Sequence, residues 1–168
     1  GAELGDKMGI RMTSTTEMSF DQVRIPEENR VGPLNRGFYQ VLEFFDESRV
    51  MVAAQAIGMA QGAFDRALDY GKKRQQFGQR LVDFQVTQHK LADMATQLEA
   101  ARCLVYKAGW NFDQGRIEPK WTSMAKMYAG RVAVEVAQEA IQILGGYGYM
   151  LEYEVERFYR DARITEIY

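Results

Sequence analysis

The 168-residue chain holds one cysteine, one histidine and three prolines. With Cys103 alone no internal disulfide can form, and an unpaired thiol fits a reducing compartment. A zinc or iron centre built from imidazole and thiolate lacks its ligands, because His89 and Cys103 are the whole supply. The same count excludes a di-iron four-helix bundle, which needs two Glu-x-x-His pairs. His89 falls on a helical stripe with no paired nucleophile in view, which argues against a hydrolase triad. No apolar run approaches the roughly 20 residues of a membrane helix, and the first residues show no basic-then-apolar leader pattern. Gly1-Ala2-Glu3, without an initiator Met, reads as the interior of a longer protein or a cloning remnant. Neither sign of charge dominates: the formal charge is −2 and the pI about 5.6, so there is no electrostatic footprint for nucleic acid or an anionic membrane.

What is present is ordinary globular composition, 46% hydrophobic and 26% charged, enough for one domain with a core and against disorder. Residues 7–26 are short-patterned and partly β-branched from Phe20 to Ile25, closed by Pro26, and predict one or two strands. A lone hairpin is marginal in water, so such strands belong to a larger sheet. Glu27 to Gly37 reads as a linker. From Phe38 the pattern turns helical, with Leu42, Phe45, Val52, Ile57, Phe64 and Leu68 on one stripe to about Arg74. A second helix starts near Asp83, with Leu91, Met94, Leu98, Ala101, Val105 and Ala108 in steps of three and four. Gly115 suits a left-handed cap, and Pro119 suits the first turn of a third helix. That helix offers Met127, Gly130, Val134, Ala137, Ile141 and Leu144 before Gly145-Gly146. Its other sides carry small residues (Ala125, Ala129, Ala133, Ala140), as expected of a helix packed on more than one face. A fourth helix is expected over Glu152–Tyr168. The predicted class is all-α: an antiparallel four-helix bundle over 34–168, preceded by a β-strand remnant and linker over 1–33.

Three motifs stand out. Arg74-Gln75-Gln76-Phe77-Gly78 follows the first long helix; on these residues alone it is a solvated helix end, with Lys72, Lys73 and Arg74 complementing the negative dipole terminus. Gln142-Ile143-Leu144-Gly145-Gly146 is by default a C-cap and turn, although paired glycines also let a backbone approach a ligand closely. It has neither P-loop nor Rossmann spacing. Phe45-Asp46-Glu47-Ser48-Arg49 reads first as a charged helix surface with an i,i+3 pair.

Taken together with Arg160-Asp161-Ala162-Arg163 and the closing Ile167-Tyr168, these motifs closely resemble the C-terminal domain of the flavin-dependent acyl-CoA dehydrogenases. The resemblance covers nearly the whole chain, with 1–33 matching the end of that family's middle β-domain. It implies FAD as cofactor, with Arg74 reaching the flavin nucleotide of a neighbouring subunit and Gln76 and Phe77 lining it. A guanidinium suits a pyrophosphate because it can fork onto two oxygens. Phe84 and Gln85 match another family position near the flavin, and Gln142, Ile143, Leu144, Gly145 and Gly146 match a stretch contacting the adenosine part. Asp46, Ser48, Arg49 and Tyr168 match the acyl-CoA site. Some members of the family place the catalytic glutamate where this chain has Ser48, whose hydroxyl is too weak a base to take an α-proton unaided. The expected base is therefore the family's other one, directly after Tyr168, so the chain is expected to be a fragment without turnover. The implied partners are an acyl-CoA substrate, an electron-transferring flavoprotein, and further copies of the chain in a dimer of dimers. The implied location is a bacterial or archaeal cytoplasm or a mitochondrial matrix. A ligand-free structural bundle and an acyl-CoA oxidase using O2 are the competing readings.

Overall fold

The computed structural model describes residues 5–116 and 118–168; Gly1-Ala2-Glu3, with the first part of the 1–33 segment, lies outside them. The expected all-α class is what forms: α1 (Gly37–Lys73), α2 (Gln85–Asp113), α3 (Pro119–Leu144) and α4 (Val155–Ala162), with a small hairpin of β1 (Gln75–Gln76) and β2 (Gln79–Arg80) between α1 and α2. No helix among the described residues is long and apolar enough to cross a membrane.

Helix ends follow local chemistry. At the end of α2 the Arg116 N–H donates to the Asn111 carbonyl at 2.9 Å and the Gly115 N–H to the Phe112 carbonyl at 2.9 Å. With Gly115 at φ +69° this is a Schellman cap, which satisfies carbonyls the helix leaves open. Pro119 occupies the first turn of α3, where its missing N–H costs nothing.

Cross-helix contacts set the directions. Arg102 on α2 donates to the Gln61 side chain on α1 at 2.7 Å, while Val50 meets Gly109 and Gly71 meets Val82. Early α1 therefore faces late α2. Lys90 pairs with Glu139 between the start of α2 and the end of α3. Arg66 donates to Glu154 at 2.7 Å, and Gly62 abuts Phe158, running α4 antiparallel to α1. So α1 and α3 are parallel, each antiparallel to α2 and α4.

The core differs by helix. All six stripe residues expected of α2 are buried, from Leu91 to Ala108. In α1 the buried line is Ala53, Ala56, Ile57, Ala60, Ala63, Ala67 and Gly71. Of the stripe expected there, only Ile57 is fully buried; Val52, Phe64 and Leu68 sit at the margin, and Leu42 and Phe45 are exposed. In α3 the small residues hold the centre, while Met127 of the expected stripe is 68% exposed and Val134 and Ile141 are half-buried. The reason is common to both helices. They pack most extensively on each other, and small side chains bring their backbones together while larger ones are pushed to the rim.

Two further expectations need correction. The strands expected over 7–26 are not formed; only Thr16 has a bridge, and the remainder is irregular. Some of the segment's backbone groups are taken by α4 instead: the Ile10 N–H donates to the Asp161 carboxylate at 2.7 Å, and Arg160 donates to the Met8 carbonyl at 2.9 Å. The fourth helix is broken rather than continuous over 152–168. Glu154, at φ +61°, separates a 3-10 turn (Leu151–Tyr153) from α4, and a second 3-10 turn (Arg163–Glu166) follows. There the Thr165 hydroxyl donates to the Ala162 carbonyl at 2.7 Å, a side-chain bond that competes with regular helical pairing.

Gly130 marks a close approach of α3 to this turn: a Cβ there would lie 2.7 Å from the Thr165 carbonyl oxygen. Gly130→Ala should gain about 1 kcal/mol of helix propensity but lose about 1–3 kcal/mol to overpacking against a backbone atom, a net destabilisation in urea unfolding. Gly58→Ala, where an added methyl meets nothing within 4 Å, should stabilise by about 0.5–1 kcal/mol.

Candidate functional site

The candidate residues divide between the two ends of the bundle. At one end lie Asp46, Ser48, Arg49 and Tyr168. A cavity of about 450 Å³ is lined by Phe45, Ser48, Arg49, Val52, Lys126 and Tyr168. Asp46 stands beside it and pairs with Arg49 one turn on, which orients the guanidinium. The Ser48 hydroxyl donates to the Phe45 carbonyl at 3.3 Å. The Tyr168 hydroxyl donates to the Gln55 side-chain oxygen at 2.6 Å, and burial pushes its phenol above the ordinary tyrosine value. The cavity thus has two cations, two hydroxyls and an apolar wall, but no carboxylate lines it. A second cavity, about 540 Å³, shares Tyr168 and opens between residues 7–15 and the Arg160–Ile167 stretch. Sequence reasoning missed Lys126 and Gln55: Lys126 comes from α3, remote in sequence, and Gln55 lies on α1 but outside the Phe45–Arg49 motif.

At the other end, the close of α1, the hairpin, the start of α2 and the close of α3 converge. Arg74 and Leu144 share a cleft of about 480 Å³. Arg74 stacks over Tyr147, its guanidinium carbon 5.3 Å from the ring centroid. Acids of the cleft are engaged elsewhere, Asp69 with Lys73 and Glu154 with Arg66 and Arg157, while Glu152 stands exposed. Hydrogen bonding by Arg66 holds the Glu154 carboxyl below its ordinary range. Arg74 has no ion-pair partner among the described residues, which leaves its guanidinium donors for an external anion. Gln142, Gly145 and Gly146 are exposed beside the cleft, whereas Ile143 and Leu144 bury their side chains in the bundle. Phe84 is half-buried and Gln85 exposed at the start of α2.

The hairpin is strained in an informative way. Gln75 pairs with Arg80 and Gln76 with Gln79, leaving Phe77 and Gly78 as the turn. Both have positive φ, +53° and +80°, as a type I′ turn requires. Asn-Gly is the favoured pair there; a phenylalanine in the left-handed region costs of order 1–3 kcal/mol. Phe77 is nevertheless there, 94% exposed, and touches almost nothing of its own chain.

The bundle thus carries the Arg49–Lys126 cavity toward one end and the Arg74 cleft toward the other. Its kinship is specific. Residues 35–168 match the family described as "Acyl-CoA dehydrogenase, C-terminal domain". The chain is 48% identical over 162 residues to the caffeyl-CoA reductase-Etf complex subunit CarC of Acetobacterium woodii, covering 96% of this chain and 43% of that protein. It is 46% identical over 162 residues to cyclohexane-1-carbonyl-CoA dehydrogenase of Geobacter metallireducens, with the same coverage of 96% and 43%. The solved structure of butyryl-CoA dehydrogenase from Megasphaera elsdenii superposes with a TM-score of 0.97 at 46% identity, covering 100% of this chain and 44% of that one. The chain belongs to the acyl-CoA dehydrogenase family and spans less than half the length of these relatives.

Replacing Phe77 with Asn should relieve the turn. The expected result is a rise in the urea midpoint equivalent to about 0.5–1 kcal/mol with an unchanged m-value. A lower midpoint would mean that Phe77 packs on the domain in solution.

Proposed function

We propose that the chain is the C-terminal helical domain of an FAD-dependent acyl-CoA dehydrogenase that forms an α,β-unsaturated acyl-CoA. The observation that carries this reading is an arginine-bearing cavity toward each end of the bundle, the two joined by one uninterrupted helix. Arg49 on α1 and Arg74 at its C-cap lie 25 residues apart, hence about 38 Å at 1.5 Å per residue. Reacting atoms must come within about 3–3.5 Å, so a cofactor gripped at Arg74 cannot serve the acyl group held at Arg49 in the same protomer. The two cavities belong to different active centres, each completed by another copy of the chain.

The residues at the Arg74 end fit FAD. Arg74 offers forked donors to the pyrophosphate, Phe77 an exposed ring, Gln76 and Gln85 exposed amides, and Gly145-Gly146 a backbone unshielded by Cβ atoms. Bound there, FAD supplies the two-electron acceptor for the hydride leaving the substrate β-carbon. At the other end Arg49, fixed by Asp46, and Lys126 place positive charge around the acyl-CoA, and Phe45 and Val52 exclude water.

The α-proton needs a carboxylate base, and none of the chain's own lines that cavity. Glu47 is exposed and, as a helical neighbour of Ser48, points about 100° away. Glu166 is paired with Arg163. Tyr168 lines the cavity, so a residue following it in a longer chain emerges at the substrate; we assign the base to a glutamate there. One similar protein is named a reductase and another a dehydrogenase, and the same groups serve the step in either direction. The name of the former, a subunit of an Etf complex, favours an electron-transferring flavoprotein over O2 as the electron partner.

Three measurements on the full-length protein test this. Arg74→Ala should weaken FAD binding roughly tenfold or more, the loss of a charge-assisted contact; FAD retained through dialysis as in wild type would reduce Arg74 to a helix-end cation. Glutamine in place of the glutamate after Tyr168 should leave FAD bound while abolishing flavin bleaching by acyl-CoA, and continued bleaching would place the base elsewhere. Sedimentation at micromolar concentration should show a dimer of dimers, and a strict monomer would contradict the shared centres.

A further inference from the structure

Arg74 differs from most other arginines of the bundle. Arg49, Arg66, Arg80, Arg102, Arg131 and Arg160 each pair with a carboxylate. Arg74 lies instead across the face of Tyr147, 5.3 Å from its centroid. Tyr147 is not isolated. Its ring centroid is 5.1 Å from that of Tyr153 and 6.5 Å from that of Tyr70, and Tyr70 and Tyr153 meet edge-on at 5.9 Å with an interplanar angle of 85°. Three separate elements meet in this cluster: Tyr70 from the last turns of α1, Tyr147 from the 3-10 turn after α3, and Tyr153 from the turn before α4.

The consequence for Arg74 is physical. A carboxylate partner would consume the guanidinium donors that an anionic ligand needs, whereas an aromatic face attracts the cation and leaves every N–H available. An unsupported arginine at a helix end would sample many rotamers and lose that freedom on binding. Gly148, next to Tyr147, fixes the turn: a Cβ there would lie 2.6 Å from the Ile141 carbonyl oxygen, so this backbone sits hard against α3. The ring under Arg74 is thus tied to the framework.

We propose that Tyr147, backed by Tyr70 and Tyr153, is the positioning residue that holds the Arg74 guanidinium ready for the diphosphate of a dinucleotide. The inference rests on the assignment of Arg74 to FAD. Tyr147 acts through Arg74, so the face of its ring matters and its hydroxyl does not.

The test is FAD titration of the full-length protein, following flavin absorbance, in four variants with thermal unfolding of each apo form as a control. Tyr147→Leu should weaken FAD binding about fivefold, within the range of one partly desolvated cation–π contact. Tyr147→Phe should bind as wild type does. In an Arg74→Ala background, Tyr147→Leu should cause no further loss. Equal losses in both backgrounds, or failure of phenylalanine to restore affinity, would overturn the inference by showing that Tyr147 meets the ligand directly or acts only on the fold. Full affinity in Tyr147→Leu while Arg74→Ala binds weakly would overturn it and leave the Arg74 assignment standing. Full affinity in Arg74→Ala would remove both.

Discussion

The structure depends on the close parallel approach of α1 and α3. Both helices bury alanines at three- and four-residue steps, Ala53 to Ala67 on one and Ala125 to Ala140 on the other. Alanine contributes little area per residue, but it lets two backbones come near enough for dispersion contacts to accumulate along many turns. It also loses no side-chain entropy on burial and has the highest helix propensity. α2, with Leu91, Met94, Leu98 and Val105, supplies the larger wedges that close the other side. Changes that enlarge the α1–α3 seam would force the helices apart and move both end cavities at once.

That seam gives the bundle its function-relevant property, which is length. An unbroken helix of 37 residues runs past the Arg49 cavity to the Arg74 cleft. At that length the two sites stand about 38 Å apart within one chain. Phe38, Val41, Leu42, Phe44 and Phe45 crowd around the first turns of α1, all exposed, with Gln40, Glu43 and Glu47 on the polar side. Phe77 is likewise a bulky ring held in a costly turn, 94% exposed.

The charged surface contributes geometry more than stability. Most of its pairs are exposed or half-exposed and of the i,i+3 or i,i+4 kind, worth a few tenths of a kcal/mol each. The Arg66–Glu154 contact is different in kind because it bridges elements, clasping the turn before α4 to α1 and orienting the tyrosines beside Arg74. Arg160 has a comparable role at the opposite end, bound by Glu156 and by the Met8 carbonyl.

Local rules were enough for some features. Spacing alone identified the three long helices, the α2 stripe, the Gly115 cap, the entry of α3 at Pro119 and the Arg74 turn, because each depends on residues within a few positions of one another. The stripes of α1 and α3 were misjudged because hydrophobicity ranks leucine and methionine above alanine, whereas the choice of buried face was made by how closely two distant helices could pack. The expected strands at 7–26 failed for a related reason: pattern shows that a segment could pair, but only a partner's unpaired edge decides that it does. The candidate site divides the same way. Asp46, Ser48 and Arg49 lie within one turn and are legible as a motif, while Lys126 and Tyr147 enter the sites from elements far along the chain. Their roles exist only once α3 lies beside α1, since a cavity is a property of surfaces brought together and no single segment contains it.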